Sequence, residues 1–118
     1  MLDEIAQWRV PVANSKEHIE FWKEHLANFR TLQRSHREKL PLVSSRVLSM
    51  NDSEIAGEEI WIWIDEYENQ EACDRMMKAL HEDPELSRFR ERATSRFNAL
   101  LVPGSRKNEV WTEHFRIE

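Results

Sequence analysis

The segment Glu58 to Tyr67 constrains the fold more than any other part of the chain. It reads Glu-Glu-Ile-Trp-Ile-Trp-Ile-Asp-Glu-Tyr, so Ile60, Ile62 and Ile64 alternate with Trp61 and Trp63. Successive side chains of a strand point to opposite faces, which puts the Ile set on one face and the Trp set on the other. A strand that is apolar on both faces needs cover on both sides. In an antiparallel sheet with helices on one side, the second face is normally wet. Left bare, this one would expose an apolar patch of a size that monomers rarely tolerate. Burying each large side chain contributes ~1.5–3 kcal/mol, so the drive to cover that face is strong. The simplest cover is the same face of a second copy, because two-fold association is the default for soluble homo-oligomers. A homodimer is therefore expected, with one face toward the helices and the other toward the partner. Alternation alone does not say which is which.

The flanking segments supply the other elements. Ile5 to Val12 reads as a first strand with Ala6, Trp8 and Val10 on one face and Gln7 and Arg9 on the other. Asn14 or Ser15 begins a helix, and Asn14 with Glu17 has the spacing of a capping box. Its apolar stripe is Ile19, Trp22, Leu26 and Phe29. That helix should fade between Arg37 and Lys39, because Pro41 biases Leu40 away from helical angles. Leu42 to Met50 is a second strand, with Val43, Ser45, Val47 and Ser49 on one face and Ser44, Arg46, Leu48 and Met50 on the other. Asn51-Asp52-Ser53 and Gly57 mark a hairpin connection into the third strand. Asn69 caps the next helix, which buries Ala72, Cys73, Met76, Met77 and Leu80. Asp83-Pro84 ends that helix and starts another, with Asp83 as cap and Pro84 in the first helical position. Leu86, Phe89, Ala93, Phe97 and Leu100 continue the stripe until Pro103-Gly104. Glu109 to Ile117 is the last strand, with Trp111 and Phe115 on one face and Thr112 and His114 on the other. The order β-α-β-β-α-β is the ferredoxin-like plan, an α+β fold with an antiparallel sheet, and residues 1–118 suit a single domain of this kind.

Charge and composition narrow the function classes. The net charge is −5, which opposes nucleic-acid binding. No run approaches the ~20 apolar residues of a membrane helix, and Met1-Leu2-Asp3-Glu4 has no apolar signal core. A lone Cys73 cannot form an internal disulfide, which suits a reducing compartment. A cytoplasmic protein with neither nucleic acid nor membrane as partner is expected.

Residues able to line a ligand pocket are Arg9, Trp22, His25, Arg46, Trp63, Trp111 and His114. The arginines on strands would neutralise an anionic group, His114 in mid-strand would act as acid, base or ligand, and the tryptophans would box a flat molecule. Each also has a plainer reading as an ion pair or as core. His18 and His25 lie seven apart on one helix, whereas metal pairs converge at three or four, so no metal site is expected. With Gly57 and Gly104 as the two glycines, no phosphate-cradling loop is available, and no GxSxG occurs. No motif implies a cofactor, and none assigns a catalytic residue. The expected function is binding of a small organic ligand, with enzymatic action on an organic substrate open. The alternative is a structural or regulatory homodimer without catalysis.

A resemblance adds to this reading. Glu66-Tyr67-Glu68-Asn69-Gln70-Glu71-Ala72, Leu80-His81-Glu82-Asp83-Pro84-Glu85-Leu86 and Phe89 form a strand, an aromatic, a capped helix with an early Ala, and a second helix opening on Asp-Pro. That pattern resembles the dimeric α/β-barrel superfamily, which includes NIPSNAP-type proteins and antibiotic-biosynthesis-type monooxygenases. The resemblance implies two sheets closing into a barrel across a dimer axis, and a cavity between helices and sheet in each subunit. Cofactor-independent oxygenases and haem-degrading members use an Asn, a Trp and a His around that cavity. Here Tyr67 stands at the aromatic position, Met76 near the place of the His, and the first strand offers Gln7 and Arg9 but no Asn. The oxygenase set does not carry over.

Overall fold

A computed structural model describes residues 1–50 and 57–118. Its elements are β1 (Leu2–Pro11), α1 (Ser15–Ser35), β2 (Ser44–Ser49), β3 (Glu58–Tyr67), α2 (Gln70–Glu82), α3 (Pro84–Leu100) and β4 (Lys107–Thr112), with a 3₁₀ turn at Val12–Asn14. The four strands form one antiparallel sheet in the order β2-β3-β1-β4, the ferredoxin-like arrangement. β1 and β3 pair along their whole lengths, from Leu2 opposite Tyr67 to Pro11 opposite Glu58. Asn51-Asp52-Ser53, expected as hairpin residues, lie outside the described residues. Gly57 has φ +77°, the left-handed region that Gly enters without a Cβ penalty, and its carbonyl accepts from the Val12 N–H at 2.9 Å.

The Trp face of β3 is the one that meets the helices. Trp61 packs with Trp8, Val10, Phe21, Trp22, Phe97 and Leu101 in one core cluster, and Trp63 lies against it. A second cluster joins Leu2, Leu40, Tyr67, Cys73, Met76 and Leu86. Asp65 and Tyr67 follow Trp61 and Trp63 on the same face by alternation, and both are buried. Ile60, Ile62 and Ile64 therefore point to the opposite side of the sheet, where they stay half-buried.

Two helix starts match their local signals. The Asn69 side chain accepts from the Ala72 N–H at 2.9 Å, and Asp83 accepts from Glu85 and Leu86 at 3.0 and 3.1 Å ahead of Pro84. α1 differs in two respects. Asn14 makes no capping bond to its own helix; its amide donates to the Leu100 carbonyl at 3.2 Å, tying the start of α1 to the end of α3. The buried stripe is also rotated by one residue, burying His18, Phe21 and Trp22 while Ile19 is exposed. A histidine takes the core position because two indole N–H groups are there to bond it. β4 begins and ends earlier than the pattern Glu109–Ile117 suggests. Its pairing with β1 runs from Lys107 opposite Gln7 to Thr112 opposite Leu2, followed by one bond from the Glu113 N–H to the Met1 carbonyl at 2.9 Å.

Candidate ligand cavity

The two clusters do not fill the space between them. A cavity of about 350 Å³ lies between the three helices and the sheet. That is the lower end of the range for small-molecule sites, ~300–1,000 Å³. Its walls are aromatic and aliphatic: Trp22, His25 and Phe29 from α1, Met76 and Leu80 from α2, Phe89 and Phe97 from α3. The floor is polar and comes from three strands: Glu4 of β1, Ser45 of β2, Trp63 and Asp65 of β3. Arg106 and Asn108 close the side next to β4.

The register produces that floor. Asp65 pairs with Glu4 on one side and with Ser45 on the other. All three therefore project to the helix side with Trp63. Trp63 Nε1 donates to Ser45 Oγ at 2.7 Å, which pins the indole edge at the floor. Asp65 is 2% exposed, and its Oδ1 has no hydrogen-bond partner among the described residues. Burial pushes its carboxyl up to about 7; the Ser45 hydrogen bond opposes the rise and the neighbouring Glu4 adds to it. Burial also raises Glu4, against the pull of the Arg106 charge. A carboxyl poised near neutrality either accepts or donates a proton at ordinary pH.

His25 is a flat wall panel. It stacks on Phe89 with 5.2 Å between centroids and 12° between planes, and on Phe21 at 5.4 Å and 22°. Burial, helped by the charge of Arg96, lowers it to about 4, so the ring is neutral. Trp22 meets Trp63 edge-on at 5.3 Å. Behind it, His18 Nε2 accepts from both Trp8 Nε1 and Trp22 Nε1 at 3.0 Å. An imidazole that accepts at Nε2 carries its proton at Nδ1, and burial lowers His18 to about 4 against the charge of Glu59.

Of the seven residues singled out from sequence, the structure brings Trp22, His25 and Trp63 together around the cavity. It places the other four elsewhere. Arg9 lies on the opposite face of the sheet, paired with Glu58 at 2.8 Å. Arg46 stands opposite Ile64, on that same far face, and is exposed. Trp111 pairs with Asp3 and is 56% exposed. His114 lies beyond the end of β4, in solvent. The reason is common to all: on strands, a shift of one residue exchanges faces, and β4 stops before His114. Asp65, Glu4 and Ser45 carried a signal, since Asp65 is in step with Trp61 and Trp63, but it becomes readable only once the Trp face is known to be the inner one. Among the described residues no group of three or more His, Cys, Asp or Glu side chains is placed to hold a metal ion.

No family model matches the sequence, and no curated relative matches it. Solved structures do share its fold. One is an uncharacterised NIPSNAP domain protein from Burkholderia xenovorans, 16% identical with a TM-score of 0.59, the match covering 97% of this chain and 95% of that one. Another is the monooxygenase from the gene ActVA-Orf6 of Streptomyces coelicolor, solved in complex with nanaomycin D. It is 19% identical with a TM-score of 0.59, covering 99% of this chain and 90% of that one. At3g17210 from Arabidopsis thaliana is 15% identical with a TM-score of 0.63 and full coverage of both chains. The chain thus has the fold of the antibiotic-biosynthesis-monooxygenase and NIPSNAP-like proteins, and at these identities the likeness concerns the fold.

Proposed function

We propose that this chain binds a small organic molecule in the cavity between its helices and sheet. The observation that carries the reading is the pairing of an unfilled, aromatic-walled space with a buried carboxyl whose Oδ1 is unpartnered among the described residues. An unsatisfied buried acceptor costs ~1–3 kcal/mol, a cost that a donor on a bound molecule would offset. If the bound molecule is also transformed, the chemistry suited to this floor is proton transfer at Asp65. The ligand in the S. coelicolor complex, in a protein of the same fold, lends support to a small-molecule site. Titrating the intrinsic tryptophan fluorescence with a panel of uncharged and charged aryl compounds tests the reading. Saturable changes that disappear in Trp63→Phe are expected, and a flat response across the panel would overturn it.

The second part of the proposal is a homodimer formed through the far face of the sheet. Ile5, Leu48, Ile60, Ile62, Ile64 and Trp111 share that face by register. Such a contiguous apolar face supports self-association. Light scattering on a size-exclusion column should give twice the chain mass for the native protein and the chain mass for Ile62→Glu. A native monomer at micromolar concentration would sink the dimer. The same proposal places the protein in the cytoplasm, without nucleic-acid or membrane partners. In support, the net charge is −5, no helix among the described residues is long and apolar enough to cross a membrane, and Cys73 is a buried free thiol.

A further inference from the structure

The charge distribution around the cavity floor goes further than its shape. Asp65 and Glu4 sit side by side across the β1–β3 pairing, on the face that meets the helices. Neither belongs to any ion pair among the described residues. A buried carboxylate is costly unless a cation joins it. The cavity has two arginines in its lining; neither makes an ion pair with the acids among the described residues, and the charge of Arg106 acts on Glu4, leaving Asp65 without a cation. Arg90 Nε donates to the Leu80 carbonyl at 3.3 Å. Arg106 Nε donates to Asn108 at 3.0 Å while its guanidinium lies over the Phe97 ring at 5.3 Å. His25, one of two imidazoles in the lining, is neutral and adds no repulsion. What remains at the floor is two acids, one with an unpartnered oxygen, framed by the indole of Trp63 and facing Trp22, Phe29 and Phe89. Aromatic faces attract cations through their quadrupole, and carboxylates attract them directly.

Resting on the small-molecule reading above, we propose that the cavity selects an organic ammonium ion carried on an aromatic body. Asp65 is the charge partner of the ammonium, Glu4 reinforces it, and the α1 and α3 rings hold the aryl part. The cavity volume of about 350 Å³ suits an aryl-alkylamine and excludes much larger molecules.

Three probes of one shape decide the matter by isothermal titration near pH 8: 2-phenylethylamine, 2-phenylethanol and 3-phenylpropanoate. The amine should bind at least ~10-fold more tightly than the alcohol, the size of effect a charge-assisted hydrogen bond gives, and the carboxylate most weakly. Asp65→Asn should abolish the preference for the amine over the alcohol. Glu4→Gln should reduce the preference by a smaller factor, and circular dichroism confirms that each variant is folded. Equal binding of amine and alcohol, tighter binding of the carboxylate, or a preference that survives in Asp65→Asn overturns the ammonium assignment. If the three probes fail but an uncharged probe such as 2-naphthol still gives saturable quenching, the ammonium assignment falls and the cavity reading stands. If naphthol fails as well, both fall.

Discussion

The two ends of the interior each bury one polar side chain, and they treat it differently. At one end His18, fully buried, is enclosed by Trp8, Trp22, Trp61, Phe21 and Phe97; its Nε2 accepts two indole N–H groups, and its Nδ1, like one oxygen of Asp65, has no partner among the described residues. At the other end Asp65, almost equally buried, abuts an open cavity with one oxygen unpartnered among the described residues. Burial is the same; the surroundings are not. The histidine organises donors that the fold itself provides, in a space filled by rings. The aspartate belongs to the lining of a space that the fold leaves empty. A buried polar group points to a ligand when packing around it is unfinished, and to architecture when packing is complete.

The largest expected effect tests the claim that the aromatic end is solid. Trp8 has no solvent exposure and touches His18, Trp22 and Phe97. Trp8→Ala should cost ~3–5 kcal/mol in urea unfolding. Phe89→Ala, on the half-buried cavity wall, should cost less than half as much, because the space beside it is already open. Equal losses would show that the two ends are packed alike.

The next test uses pH. The folded state holds the Asp65 proton up to about pH 7, while an unfolded Asp releases it at 3.8. The folded state binds more protons between those values, so this group's contribution to stability is full below about 4 and declines as pH rises to about 7. Asp65→Asn should therefore stabilise the protein above pH 7 by a few kcal/mol at most, at ~1.4 kcal/mol for each pH unit between the two values. The gain should vanish near pH 4. His18 and His25 act with the opposite sign. Their folded values near 4 lie below the unfolded 6.5, so the unfolded chain binds more protons and stability is lost as pH falls from about 6.5 to about 4. In the native protein these slopes oppose one another. In Asp65→Asn the largest opposing slope is gone, Glu4 remaining, and thermal melts across this range should show steeper acid destabilisation. An unchanged profile would place Asp65 in a solvated setting.

A smaller effect is expected for His18→Ala at pH 7. It strips both indoles of their acceptor, and stranded buried donors cost ~1–3 kcal/mol. Ligand titrations of this variant should show weaker aryl binding through a displaced Trp22, without loss of selectivity among head groups. Loss of selectivity instead would join the two ends into one site. Smallest of all, Asn69→Ala at the start of α2 should cost ~1 kcal/mol, the usual value of a side-chain cap.

Much of the fold was legible because its signals are local. The bounds of Glu58–Tyr67, the Asn69 cap, the Asp83-Pro84 restart and the stripe Leu86, Phe89, Ala93, Phe97 and Leu100 follow from neighbouring residues alone, and the structure has all four. The candidate site was legible only in part. Trp22, His25 and Trp63 face the cavity, whereas Arg9, Arg46, Trp111 and His114 do not. The Asn14–Glu17 spacing looked like a capping box because the local motif is complete, but the Leu100 carbonyl, distant in sequence, takes the Asn14 amide.

Residue order alone makes one strand apolar on both faces and surrounds it with βαββαβ elements. Strand alternation sorts residues into two sets and carries no information about which set is inside. That choice belongs to the helices: α1 and α3 bring His18, Phe21, Trp22 and Phe97 against the indoles, and the inward turn of Trp61 and Trp63 carries Asp65 in with them. The acid at the floor of the cavity is thus a consequence of tertiary packing, because its face is set by what the two tryptophans two and four residues before it pack against.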